Sequence, residues 1–132
     1  MVDIARKRNR RQVKAGRVKV VVGGADKQPF ADGAFDRALC VHVVYFWRDL
    51  DGPLKEIARV LKPGGRLALL FRTNADEAAV QAFPADVYRF PALKDMTTAL
   101  AAAGFSVDAD ATIGDPGAGP VLLVVERLAA AG

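Results

Sequence analysis

Two stretches of this 132-residue chain carry side chains whose types and spacing could do chemistry. The first is Cys40-Val41-His42, followed closely by Tyr45-Phe46-Trp47, which brings a thiol, an imidazole, a phenol and an indole together. An imidazole ordinarily titrates near neutrality, so His42 could take a proton from an acceptor. A lone histidine among valines is more often a packing residue, and Tyr45 and Trp47 could equally pack locally, so no catalytic residue is assigned. The second stretch is Gly23-Gly24-Ala25-Asp26, continuing to Gln28-Pro29-Phe30. It is a loop rich in turn residues with a carboxylate inside it. An ordinary glycine turn explains it as well as a ligand contact does.

Both stretches need a scaffold, and the scaffold is legible between Gly33 and Phe71. Arg37 to Val44 and Leu67 to Phe71 are continuous apolar runs without polar alternation, as expected of strands covered on both faces in a parallel sheet. Between them, a helix is predicted from about Gly52 to Val60. Leu54, Ile57, Ala58 and Leu61 fall on one stripe, while Lys55, Glu56 and Arg59 face water. Asp49 or Asp51 can cap its start, Pro53 suits its first turn, and a tight turn at Lys62 to Gly65 follows it. The result is a right-handed β-α-β unit.

Around this unit the sequence predicts a cationic helix from Met1 to Gly16 and a short strand at Val18 to Val22. A short helix within Arg72 to Ala82, started by Thr73 or Asn74, leads to an aromatic connector at Asp86 to Pro91. Ala92 to Ala103 forms a clear helix stopped by Gly104. Phe105 to Ala111 and Val121 to Glu126 are two strands joined without a helix, hence antiparallel.

The bulk properties exclude several classes. Apolar residues make up 52% of the chain, and no run approaches a membrane span. A single cysteine forbids an internal disulfide, and one cysteine with one histidine leaves no structural zinc site. A reducing cytoplasm fits best. The net charge of +4 is uneven: the first 20 residues hold eight Lys or Arg against Asp3 alone, and the remainder carries −3. Such a cluster could neutralise phosphates, but it lacks interleaved aromatic residues, so nucleic acid is not the expected partner. A mitochondrial-type presequence is a further reading of the same arm, whereas a secretory signal is not, since no apolar h-region follows the charges.

Phe35-Asp36 opening one strand, and Arg59-Val60-Leu61-Lys62-Pro63-Gly64-Gly65 opening the next, resemble the class I S-adenosylmethionine-dependent methyltransferases, particularly their small-molecule branch. The resemblance runs from about Val2 to Glu126. It implies an α/β, Rossmann-like methyltransferase fold: a mixed, mostly parallel sheet with an antiparallel C-terminal strand, in the order third, second, first, fourth, fifth, seventh, sixth. It also implies S-adenosylmethionine as cofactor, a small-molecule acceptor, and transfer achieved chiefly by positioning. Carried onto this chain, the cofactor contacts fall on Gly23, Gly24, Ala25, Asp26, Cys40, Val41 and His42, and the acceptor contacts on Tyr45 and Trp47. In the family an acidic residue stands where this chain has Gly24, counted back from Pro29-Phe30. Asp26 lies two residues later, a displacement of roughly 3.3 to 3.6 Å per residue along the chain.

On the same resemblance, the first two strands, with the glycine-rich turn and the ribose-binding acid, would precede Met1. Residues 1–132 are then expected to be one N-terminally truncated domain. Gly114 to Gly119 is no substitute for the turn, because it precedes a strand and does not lead from a strand into a helix. Three explanations of the short form stand: a truncated product or misplaced start, a remnant that has lost the cofactor, and an assembly whose partner supplies the other half. The alternative function is therefore a noncatalytic interaction module, homodimeric through an open sheet edge.

Overall fold

In the computed structural model, which describes residues 2–15, 24–108 and 111–129, the β-α-β unit forms as its sequence requires. Strand β1 (Phe35–Val41) pairs in parallel with β2 (Leu61–Phe71), and helix α3 (Asp51–Val60) connects them. Leu54, Ile57, Ala58 and Leu61 are buried as the stripe requires. Asp49 supports the start of the helix, its carboxylate accepting the Gly52 N–H at 2.8 Å.

Two boundaries differ from the sequence reading. The turn at Lys62 to Gly65 is absorbed into β2 as an irregularity: Phe35 pairs with Leu61 and Arg37 with Arg66, so the intervening residues bulge out of register. Gly64 takes a φ of +82°, and a Cβ on Gly65 would lie 2.7 Å from the Lys62 carbonyl oxygen. β1 ends at Val41, short of Val44, because His42 adopts a φ of +52° and extended backbone cannot continue through it.

The cationic arm is two short helices, α1 (Val2–Arg8) and α2 (Arg10–Lys14). They part at Asn9, whose side-chain amide and backbone N–H both donate to the Ala5 carbonyl, at 2.9 and 3.1 Å. The strand expected at Val18 to Val22 lies outside the described residues, as does Gly23.

Beyond β2 come α4 (Glu77–Ala82), α5 (Leu93–Ala102), β3 (Phe105–Ser106), β4 (Thr112–Ile113) and β5 (Val121–Arg127). The cap of α4 is Asp76, whose carboxylate accepts the Ala79 N–H at 3.2 Å. Thr73 is instead buried, donating to the Pro116 carbonyl. α5 stops before Gly104, which has a φ of +101°. The strand expected over Phe105 to Ala111 survives only as the two-residue β3, and β4 follows at Thr112; both pair antiparallel with β5.

The sheet order is β1-β2-β5-β3, with β4 also on β5. β5 alone runs against the others, which makes the sheet mixed with a reversed C-terminal strand. α3 and α5 pack together over one face, where Leu67, Leu69, Phe71, Leu123 and Val125 join Leu54, Met96 and Leu100 in the core. The opposite face presents Leu39, Val41 and Val124 to solvent.

Candidate functional site

The carboxyl end of β1 organises the site. His42 N donates to the Leu70 carbonyl at 2.8 Å, which keeps the chain on β2 one residue past the strand. The left-handed turn at His42 then sends Val43 into a 3-10 turn at Val44–Phe46, with Val44 and Tyr45 buried. This segment supplies residues to two depressions. Val43 and Trp47 line one, of about 390 Å³. His42, Tyr45 and Phe46 line the other, of about 350 Å³.

Gly24, Ala25, Ala38, Leu39 and Cys40 complete the first depression, so the loop and strand singled out in the sequence do meet. Burial pushes the Cys40 thiol up to about 11. A thiol so held is protonated at neutral pH and serves as an apolar wall, not a nucleophile. Asp26 is exposed and lines an adjoining hollow with Trp47 and Asp49. Val41, the last residue of β1, lies outside the 390 Å³ depression.

The loop from Gly24 to Gly33 is held by charges on α3. Glu56 accepts the Gln28 N–H at 2.8 Å and pairs with Arg59. Arg59 in turn donates to the carbonyls of Phe30 and Gln28 and to Asp32. Hydrogen bonds from Arg59, then from the Gln28 backbone, hold the Glu56 carboxyl at about 2. Arg59 is shifted upward by its hydrogen bonds to Glu56 first and then to Asp32. The α3 stripe foretold a solvent-facing Arg59, and nothing in the linear pattern pointed to this clamp.

The second depression is aromatic. Tyr45 Oη accepts the Arg72 N–H at 2.6 Å and lies 2.8 Å from His42 Nδ1, tying the ends of β1 and β2 together. Burial raises the Tyr45 pKa, against the lowering effects of the Arg72 backbone and charge, so the phenol stays protonated. The connector after α4 closes over it, because Arg89 N donates to the Tyr45 carbonyl and Arg89 Nη1 to the Arg48 carbonyl. Phe83, Tyr88 and Phe90 thereby join Tyr45 and Phe46. Tyr45 and Trp47 therefore face different depressions. The sequence marked the connector as aromatic without placing it here.

Against known proteins, the family of methyltransferase domains matches residues 1–69. The chain belongs to this methyltransferase family. Among curated relatives, methyltransferase GfsG of Streptomyces halstedii is 38% identical over 81 residues, covering 59% of this chain and 29% of that protein. The ubiquinone/menaquinone biosynthesis C-methyltransferase UbiE of Hahella chejuensis is 38% identical over 88 residues, covering 64% of this chain and 33% of that protein. The methyltransferase chain thus spans about a third or less of the length of these relatives. In fold it is similar to geranyl diphosphate C-methyltransferase from Streptomyces coelicolor A3(2), a structure with S-adenosyl-L-homocysteine, at a TM-score of 0.79 and 16% identity over 96% of this chain and 60% of that one.

The first depression suits the adenosyl end of S-adenosylmethionine in part. Gly24 carries no side chain where backbone meets the hollow, and Ala38, Leu39 and Cys40 offer an apolar surface for a flat base. No carboxylate lines it among the described residues, so a partner for the ribose hydroxyls is not part of this fit.

Proposed function

We propose that the chain carries part of the site of an S-adenosylmethionine-dependent methyltransferase acting on a small molecule. In this reading Gly24, Ala25 and Cys40 receive the adenosyl end of the cofactor, with Asp26 and His42 at its margins, Trp47 on the wall of the same hollow and Tyr45 toward the acceptor. The observation that carries it is the hollow at the carboxyl end of β1, walled by the glycine loop and the strand end, in a chain of the methyltransferase family. The cofactor supplies an electrophilic methyl group on sulfur. The chain's residues bind and orient the reactants and exclude water around them. Transfer by positioning needs no general base, and His42 is the candidate for a proton released by an acceptor.

Calorimetric titration with S-adenosylmethionine and S-adenosylhomocysteine tests the reading. Saturable micromolar binding, weakened by Gly24→Val, is expected; a folded chain that gives no heat with either compound would remove the catalytic reading.

A second reading, an interaction module that pairs through β1, is favoured by Leu39, which is 70% exposed on a strand that pairs only with β2 among the described residues. It predicts a mass in sedimentation that rises with concentration.

A further inference from the structure

The aromatic hollow beside His42 has features that an ordinary packing cluster lacks. Its rings touch at short range: Phe83 and Tyr88 have centroids 4.7 Å apart, Tyr45 and Phe90 4.9 Å, and Phe46 and Tyr88 5.1 Å. Yet Phe46 remains 57% exposed and Phe83 42% exposed. Rings that served only to fill a core would bury these faces against each other; here they wall an open volume of about 350 Å³. That size lies at the low end of small-ligand sites, enough for a molecule of one or two rings.

Charge narrows the occupant. Among the described residues, Arg72 is the one permanently charged side chain lining the hollow. Its Nη1 is held by Asp76 at 3.0 Å, and Asp76 is itself buried as the cap of α4. The pair is neutral overall, so its net charge favours neither an anion nor a cation, while Nε and Nη2 of Arg72 are without a partner among the described residues. A charged occupant would lose its hydration without a net counter-charge from the pair. An uncharged flat molecule would lose only apolar contact with water and would gain stacking on the rings.

The polar atoms of the lining are unequally committed, and the Tyr88 hydroxyl, like His42 Nε2, is without a hydrogen-bond partner among the described residues. Tyr45 Oη is engaged by the Arg72 N–H and by His42 Nδ1. His42 lines the hollow, its backbone is fixed by the bond to Leu70, and the contact of its Nδ1 with Tyr45 Oη orients the ring.

We propose that this hollow is the acceptor subsite and that it selects an uncharged, flat aromatic molecule bearing a hydroxyl, the ring lying against Phe83, Tyr88 and Phe46 and the hydroxyl meeting His42 Nε2. The acceptor role rests on the methyl-transfer reading; the ligand class rests on the hollow alone.

The test is binding of four probes to the full chain, without cofactor, by calorimetry: 2-naphthol, naphthalene, naphthalene-2-sulfonate and 2-naphthylmethylammonium. The naphthol is expected to bind about tenfold tighter than naphthalene, the order of one neutral hydrogen bond, and more tightly still than either ion. His42→Ala should abolish the preference for 2-naphthol while keeping naphthalene binding, which also reports that the variant is folded. Phe83→Leu, which keeps apolar bulk but removes the ring, should weaken both. Tighter binding of either ion, or 2-naphthol binding unchanged in both variants, would overturn the proposal. Titration of the same samples with S-adenosylhomocysteine separates the two claims. Naphthol selectivity without binding of that compound would support the ligand class and remove the acceptor role. Binding of that compound without naphthol selectivity would overturn the ligand class and leave methyl transfer standing.

Discussion

Tyr45 joins two strand ends through one oxygen, with the Arg72 N–H at 2.6 Å and His42 Nδ1 at 2.8 Å. Tyr45→Phe keeps the ring and leaves the Arg72 amide without its acceptor. Urea unfolding should show a loss of about 1 to 3 kcal/mol, the cost of an unpaired buried donor. Gly65 is a stricter case. An added Cβ would sit 2.7 Å from the Lys62 carbonyl and 3.0 Å from that of Asp36, both backbone atoms that cannot step aside. Gly65→Ala is expected to lower stability by about 1 to 3 kcal/mol, as overpacking does, with a fall in thermal midpoint as the readout. Cys40 gives a pH signature. Its folded pKa, about 11 against an ordinary 9.0, means that the folded chain keeps a proton the unfolded chain gives up. Stability from this group is complete below pH 9 and is lost as pH rises toward 11; Cys40→Ala should flatten that part of the pH profile.

At the scale of elements, the clamp from α3 onto the Gly24 to Gly33 loop decides whether the first hollow has a wall. Arg59 reaches Phe30, Gln28 and Asp32, and its carbonyl accepts the Gly33 N–H at 2.8 Å. Arg59→Ala should leave α3 intact, since its buried stripe is untouched, while backbone amides of the loop exchange faster with deuterium. Binding of S-adenosylhomocysteine should weaken in parallel. Glu56 adds an acid limb. Its folded pKa is depressed to about 2, so its contribution is present above the unfolded value near 4.5 and disappears as pH falls toward 2. Glu56→Gln should remove that limb from the acid unfolding curve. The Arg59-to-Gly65 motif was readable as a family mark, yet its Arg59 partners lie 27 to 31 residues away and no local pattern announces them.

For the whole molecule, one face of the sheet is sealed by α3 and α5 and the other is apolar and open at Leu39, Val41 and Val124. On the sealed face, Leu100→Ala should cost about 2 to 5 kcal/mol in urea unfolding, the range for a fully buried leucine. Among the described residues no helix is long and apolar enough to cross a membrane. What the sequence determined by itself was the β-α-β unit, the reversed last strand and the family, because apolar periodicity, caps and the Leu-Lys-Pro-Gly-Gly turn are written in contiguous residues. It also named Gly24, Ala25 and Cys40, which the fold gathers around one hollow. Only the tertiary structure separated Tyr45 from Trp47, left Val41 outside the first hollow, and carried Phe83, Tyr88 and Phe90 to His42. Those outcomes depend on the left-handed turn at His42, and on the His42 bond to Leu70 and the Arg89 bond to Tyr45, contacts between segments remote in sequence that are fixed by the path of the chain through space.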